Sequence, residues 1–196
     1  MLSDDALDGL VALLDDYAGV RPPDVAVLAY TFDSRECAAW VAGALEVRGV
    51  DTRLVPMAPL DDAGFAARLA AALPSPADLR GRLLVMVLER GTMSHSAALR
   101  DGLADFDAER RVVIRSLSSC PDLFTQALRA RPSDLAARNA TLLGRFSGAR
   151  RLRIACSGGT RLDVALDGDR YRWISNRGIG RPGSAIILPA GEVATF

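Results

Sequence analysis

Glu192 sits where a carboxylate could serve a metal. It follows the apolar run Ser184 to Leu188 and the turn Pro189-Ala190-Gly191, which would project a hard oxygen donor from a rigid edge. One carboxylate does not hold a metal, so no metal site is assigned. A second centre is His95, the only histidine, at the carboxyl end of the third expected strand, where doubly wound sheets collect ligands. Ser94, Ser96 and Glu89 are close enough in sequence to suggest a Ser-His-carboxylate relay. No glycine elbow precedes the serine, however, and such short spacings at one helix start favour capping or packing over triad geometry. The same hydroxyl-bearing helix start offers an alternative seat for an anion. A third group is Trp173 with Arg177 and Arg181, an aromatic platform beside two guanidiniums that suit a peptide carboxylate. The candidate catalytic residues are therefore His95 and Glu192, and the candidate substrate-binding residues are Ser94, Trp173, Arg177 and Arg181.

Several chemistries are excluded by residue type. All 24 basic residues are arginine, which removes Schiff-base lysines, the P-loop lysine and covalent pyridoxal phosphate. Gly178-Ile179-Gly180-Arg181-Pro182-Gly183 satisfies GxGxxG in form, but it precedes a strand and is interrupted by Pro182, so no dinucleotide is expected. No cofactor is expected. The 24 acidic and 24 basic residues cancel and the arginines are scattered, which gives no footprint for nucleic acid or an anionic membrane. Cys37, Cys120 and Cys156 form no CxxC pair and read as reduced thiols. No signal-peptide pattern and no apolar run of about 20 residues is present, so a cytoplasmic protein is expected.

The elements that must position these residues alternate. Ser3 caps a helix carrying Leu7, Leu10, Val11 and Leu14, which ends near Gly19. Strands follow at Asp24 to Tyr30, Arg53 to Met57, Leu83 to Leu88 and Arg111 to Ile114. Helices are expected at Ser34 to Val47, Asp61 to Leu73 and from Thr92 or Ser94 to about Asp105, then at Pro121 to Arg129 and Ser133 to Phe146. Uninterrupted apolar strands separated by helices predict an α/β fold with a parallel, Rossmann-like sheet flanked by helices. From Arg150 the period changes to alternation at Leu152/Ile154/Cys156, Leu162/Val164/Leu166 and Tyr171/Trp173. The connections Ser157-Gly158-Gly159 and Asp167-Gly168-Asp169 are turn chemistry. The expected organisation is an α/β body over 1–147 and a small antiparallel β tail over 148–196.

The run Leu188-Pro189-Ala190-Gly191-Glu192-Val193-Ala194-Thr195 resembles the metal-glutamate signature of M29-family aminopeptidases, which are aminopeptidase T-like. Arg150 to Ile154, Gly159-Thr160-Arg161-Leu162 and Arg172-Trp173 keep the order of that family's basic strand, its "GTDLTF" element and its "R.W" element. Pro132 to Asn139 and Thr92 to Arg100 look like weakened forms of two earlier elements. Arg161 stands where the family tends to carry Asp, and Ala194 and Phe196 replace a bulky residue and a proline. The resemblance implies that Glu192 corresponds to a metal ligand, while the other ligands belong to a later domain for which this sequence has no residues. It therefore implies a catalytically incomplete relative acting as a peptide-binding or assembly module, for instance in tailoring a ribosomal peptide natural product. The alternatives are a metal-independent peptide cyclase or hydrolase using His95 and Glu192, and one subunit of a split metalloenzyme. The expected partner is a peptide or protein, with a homodimer or docking through an uncovered C-terminal edge at Ala185 to Leu188.

Overall fold

The computed structural model describes residues 2–166, 170 and 172–195. In chain order its elements are α1 (Asp4–Ala12), β1 (Val25–Thr31), α2 (Arg35–Val47), β2 (Asp51–Met57), α3 (Phe65–Ala72), β3 (Leu83–Leu88), α4 (Ser96–Gly102) and β4 (Arg111–Ser116). There follow α5 (Pro121–Thr125), α6 (Pro132–Phe146), β5 (Arg151–Ala155), β6 (Arg161–Ala165), β7 (Trp173–Asn176), β8 (Ala185–Leu188) and β9 (Glu192–Thr195). Asp167, Gly168, Asp169, Tyr171 and Phe196, which figured in the sequence reading, lie outside the described residues.

Five strands pair in the order β2-β1-β3-β4-β8, all parallel. The chain steps from β1 to β2 in one direction, then crosses back past β1 to β3 and continues outward to β4. This is the doubly wound, flavodoxin-like order, with its reversal between β1 and β3. The central strands are unbroken apolar runs because both faces are covered. Ala26, Leu28, Leu84, Met86, Leu88, Ile114, Ile186 and Leu188 pack against α1, α2 and α5. Val27, Ala29, Val85 and Val87 pack against Phe65 and Leu69 of α3 and Leu99 of α4.

The helices depart from their sequence expectations in instructive ways. Ser3 does cap α1, accepting from the Ala6 amide at 3.3 Å, but Leu7 and Val11 are 50 % and 44 % exposed. The buried line is Ala6, Leu10, Leu13, Leu14 and Tyr17. Gly9 explains this choice: a Cβ there would lie 2.0 Å from the Phe124 carbonyl oxygen of α5, so the helix turns its narrowest side to α5. Residues 61–64 do not join α3, because the Asp62 carboxylate instead gathers the Ala58 and Gly64 amides at 2.8 and 3.2 Å and pairs with Arg68.

The largest difference lies in the tail. β5 and β6 form the expected antiparallel hairpin, with Leu152 opposite Val164 and Ile154 opposite Leu162, and β7 pairs antiparallel with β9. β8, however, is not part of an antiparallel appendage. It runs parallel to β4, with Ile114 beside Ile186 and Ser116 beside Leu188, and completes the main sheet. The sheet has five strands rather than about four, and its last strand comes from beyond the boundary expected at Gly148. Among the described residues no helix is long and apolar enough to cross a membrane.

Candidate functional site

The carboxyl ends of β3 and β4 hold a buried polar cluster built around Glu89, which is fully buried. One of its oxygens accepts from the Ser94 amide at 2.8 Å and the Thr92 hydroxyl at 3.2 Å. The other accepts from Nη2 of Arg115 at 3.0 Å, forming an ion pair in which the Arg115 side chain is 6 % exposed. Arg115 also donates to the Ser94 carbonyl at 2.6 Å and to the Ser96 hydroxyl at 2.7 Å. A desolvated carboxylate is costly unless it is paired and hydrogen-bonded, and here both oxygens accept, one of them from a guanidinium. The cluster thus welds the loop after β3 onto β4.

His95 stands beside this cluster but outside it. It occupies the residue before α4 with a left-handed backbone, φ +56°, a conformation uncommon for any residue but glycine. Its Nε2–H donates to the Ala58 carbonyl at 2.7 Å and its ring packs on Phe65 at a centroid distance of 4.5 Å. The Ser94 hydroxyl points elsewhere: it accepts from the Leu60 amide at 2.9 Å and donates to Thr92 at 3.3 Å. Ser94, His95 and Glu89 are therefore neighbours without forming a relay. His95 and Ser94 instead tie the loop after β2 to the loop after β3. The cap expected from Thr92 or Ser94 is absent for the same reason.

Glu192 opens β9 opposite Asn176. Its side chain is exposed, and its carbonyl accepts from Nδ2 of Asn139 at 3.1 Å. Gly191 holds φ +102° and packs on Leu135, where a Cβ would sit 3.0 Å from the leucine. Among the described residues no group of three or more His, Cys, Asp or Glu side chains is placed to hold a metal ion. No hydrogen bond, ion pair or ring contact among the described residues joins Glu192 to His95.

Trp173, Arg177 and Arg181, by contrast, are brought into one groove of about 630 Å³ between α6, β7 and the outer edge of β8. Ala140 and Leu143 of α6 form its far wall and Ser184 to Ile187 its near wall. Trp173 is steadied by stacking on Phe146, with centroids 4.9 Å apart. Arg181 begins a turn that leads into β8, closed by the Ser184 amide on the Arg181 carbonyl at 3.0 Å.

Two further residues, Asn139 and Asn176, shape this groove. Asn139, 2 % exposed, directs its amide at Ser175 Oγ and the carbonyls of Asn176 and Glu192, each at 3.1 Å. It clamps β7 and β9 to α6. Asn176 donates to the Ile187 carbonyl at 2.9 Å and spaces β7 from β8. An asparagine in line with the apolar Leu135 and Leu143 of α6 is the sequence signal for the first; the second has none in the sequence.

The β8 edge is partly open. The Leu117 amide donates to the Leu188 carbonyl at 3.1 Å, so that carbonyl faces β4. Since backbone groups alternate along a strand, those of Ala185 and Ile187 face away from β4. The Asn176 bond to Ile187 agrees with this parity. The Ala185 N–H and C=O and the Ile187 N–H have no partner among the described residues. A scan against protein-family models finds no match for this chain, and no curated protein matches it.

Proposed function

We propose that the chain is a peptide-binding or assembly module that receives an extended segment along the outer edge of β8, on a scaffold resembling the N-terminal half of M29-family aminopeptidases. The supporting observation is the convergence of Trp173, Arg177 and Arg181 on the groove beside that edge. Strand addition uses unpaired backbone groups for affinity and flanking pockets for selection. Here Ala185 and Ile187 supply the backbone groups, Trp173 an aromatic wall, and the two arginines a charge that favours acidic side chains or a terminal carboxylate. Catalysis by His95 with Glu192 has weaker support, since Nε2 of His95 is engaged by Ala58.

Hydrogen exchange during titration with extended acidic peptides tests the reading. The Ala185 and Ile187 amides should gain protection and Trp173 fluorescence should change. N-methylation of the peptide at alternate backbone positions should abolish binding, while methylation at the intervening ones should not. Binding indifferent to N-methylation throughout, or protection confined to α1, refutes it. Sedimentation velocity of the wild type and Ile187→Lys identifies the case in which a second copy occupies the edge instead.

A further inference from the structure

On the opposite side of β8 from α1 and α5, the sheet is incompletely roofed. α4 covers β3 and part of β4, leaving a cleft of about 200 Å³ between α4 and the start of β8. Three arginines line it: Arg100 from α4, and Arg111 and Arg115 from β4. Arg111 and Arg115 share this face with Val113 because alternate residues of a strand point the same way. No carboxylate lines the cleft.

Two of these guanidiniums are incompletely satisfied. Arg111 is half-buried and donates to the Leu103 carbonyl, but no carboxylate among the described residues pairs with it. Arg115 has five N–H donors. Nη2 serves Glu89 and the Ser94 carbonyl and Nη1 serves Ser96, whereas Nε is buried with no acceptor. Buried donors are nearly always paired, so Arg115 retains donor capacity beyond Glu89, Ser94 and Ser96. The remaining walls are mostly apolar, formed by Leu99, Leu103, Val113 and Ala185, with Ser96, Gly183 and Ser184 completing the lining. A bare inorganic anion would leave those side chains facing nothing, while a neutral apolar molecule would leave the charge of Arg111 uncompensated.

We propose that this cleft binds a small carboxylate bearing an apolar body, its carboxylate held by Arg111 and Arg115 and its hydrocarbon part against Leu99 and Val113. A free aliphatic acid and the C-terminal apolar residue of a peptide present the same chemistry. The site does not depend on strand addition at the β8 edge, since only Ser184 and Ala185 border both, and either reading can fail alone.

The experiment is a titration of the full chain with hexanoate, followed by the ¹⁵N–¹H resonances of the arginine Nε groups. Hexanol and inorganic phosphate at matched ionic strength are the controls. The Arg115 Nε signal should shift saturably with hexanoate and with neither control. Arg111→Gln spares the Glu89–Arg115 pair and should weaken binding by about tenfold or more. Absence of a saturable shift in the wild type, an equal response to hexanol or to phosphate, or undiminished affinity in Arg111→Gln overturns the proposal. N-acetyl-leucine and its amide distinguish the sources. Binding of the acid as tight as that of hexanoate, lost in the amide, assigns the cleft to a peptide C-terminus; weaker binding assigns it to a free acid.

Discussion

Replacing Asn139 with alanine removes the two amide hydrogens that hold β7 and β9 against α6. Those hydrogens are shared among Ser175 Oγ and the carbonyls of Asn176 and Glu192, each 3.1 Å away. At a net value near 1 kcal/mol per bond, the change costs about 1–3 kcal/mol. The loss should be local, because Asn139 bonds the β7–β9 pair and not the main sheet. Asn139→Asp is nearly isosteric but aims a carboxylate at two carbonyl oxygens, with only the Ser175 hydroxyl able to turn and donate, and at neutral pH it should cost about 3 kcal/mol. Burial beside two carbonyl oxygens raises the folded-state pKa of that carboxyl above its unfolded value. The folded chain then keeps a proton that the unfolded chain releases, so stability falls as pH rises through the carboxyl range and levels off above the raised pKa. Native-state hydrogen exchange at the Gly191 amide, which donates to Asn176, reads the opening of this unit. Trp173 fluorescence in a Trp40→Phe background reads it independently. Unchanged Gly191 protection in Asn139→Ala, together with a flat pH profile in Asn139→Asp, would refute the clamp.

Gly178→Ala should lower stability by about 1–3 kcal/mol in thermal or urea unfolding, because φ is +70° and the new Cβ would lie 2.5 Å from the Tyr17 ring. Burial, aided by the Asp16 carboxylate, pushes the Tyr17 hydroxyl up to about 12. Its contribution of about 2–3 kcal/mol is therefore fully present below the unfolded value near 10 and lost as pH climbs from there to about 12. Urea midpoints of wild type minus Tyr17→Phe should show that decline and nothing comparable between pH 6 and 9. Iodoacetamide should label Cys156 first, since that thiol is exposed and lowered chiefly by the Thr160 hydroxyl. Burial holds Cys37 at about 11, so peptide mass mapping should find it modified only after unfolding.

Local sequence determined the body of this protein because its signals act over a few residues. The unbroken run Leu83 to Leu88 could be buried on both faces only in a covered parallel sheet, and it is β3, residue for residue. Ser3 marks the start of α1, and the alternation at Leu152, Ile154, Leu162 and Val164 marks the two strands of the hairpin. Trp173, Arg177 and Arg181 could likewise be singled out by side-chain chemistry. That they face one groove was decided by β8, whose four apolar residues are equally compatible with the edge of a small appendage or the fifth strand of the main sheet. Pairing with β4 across residues 117–184 is a long-range choice, made by the burial of Ile186 and Leu188 against α1 and α5. The same limit applies to His95 and Ser94, where adjacency suggested a relay. Their partners, Ala58 and Leu60, come from a loop more than thirty residues away in sequence, and only the parallel pairing of β1 with both β2 and β3 brings that loop within reach.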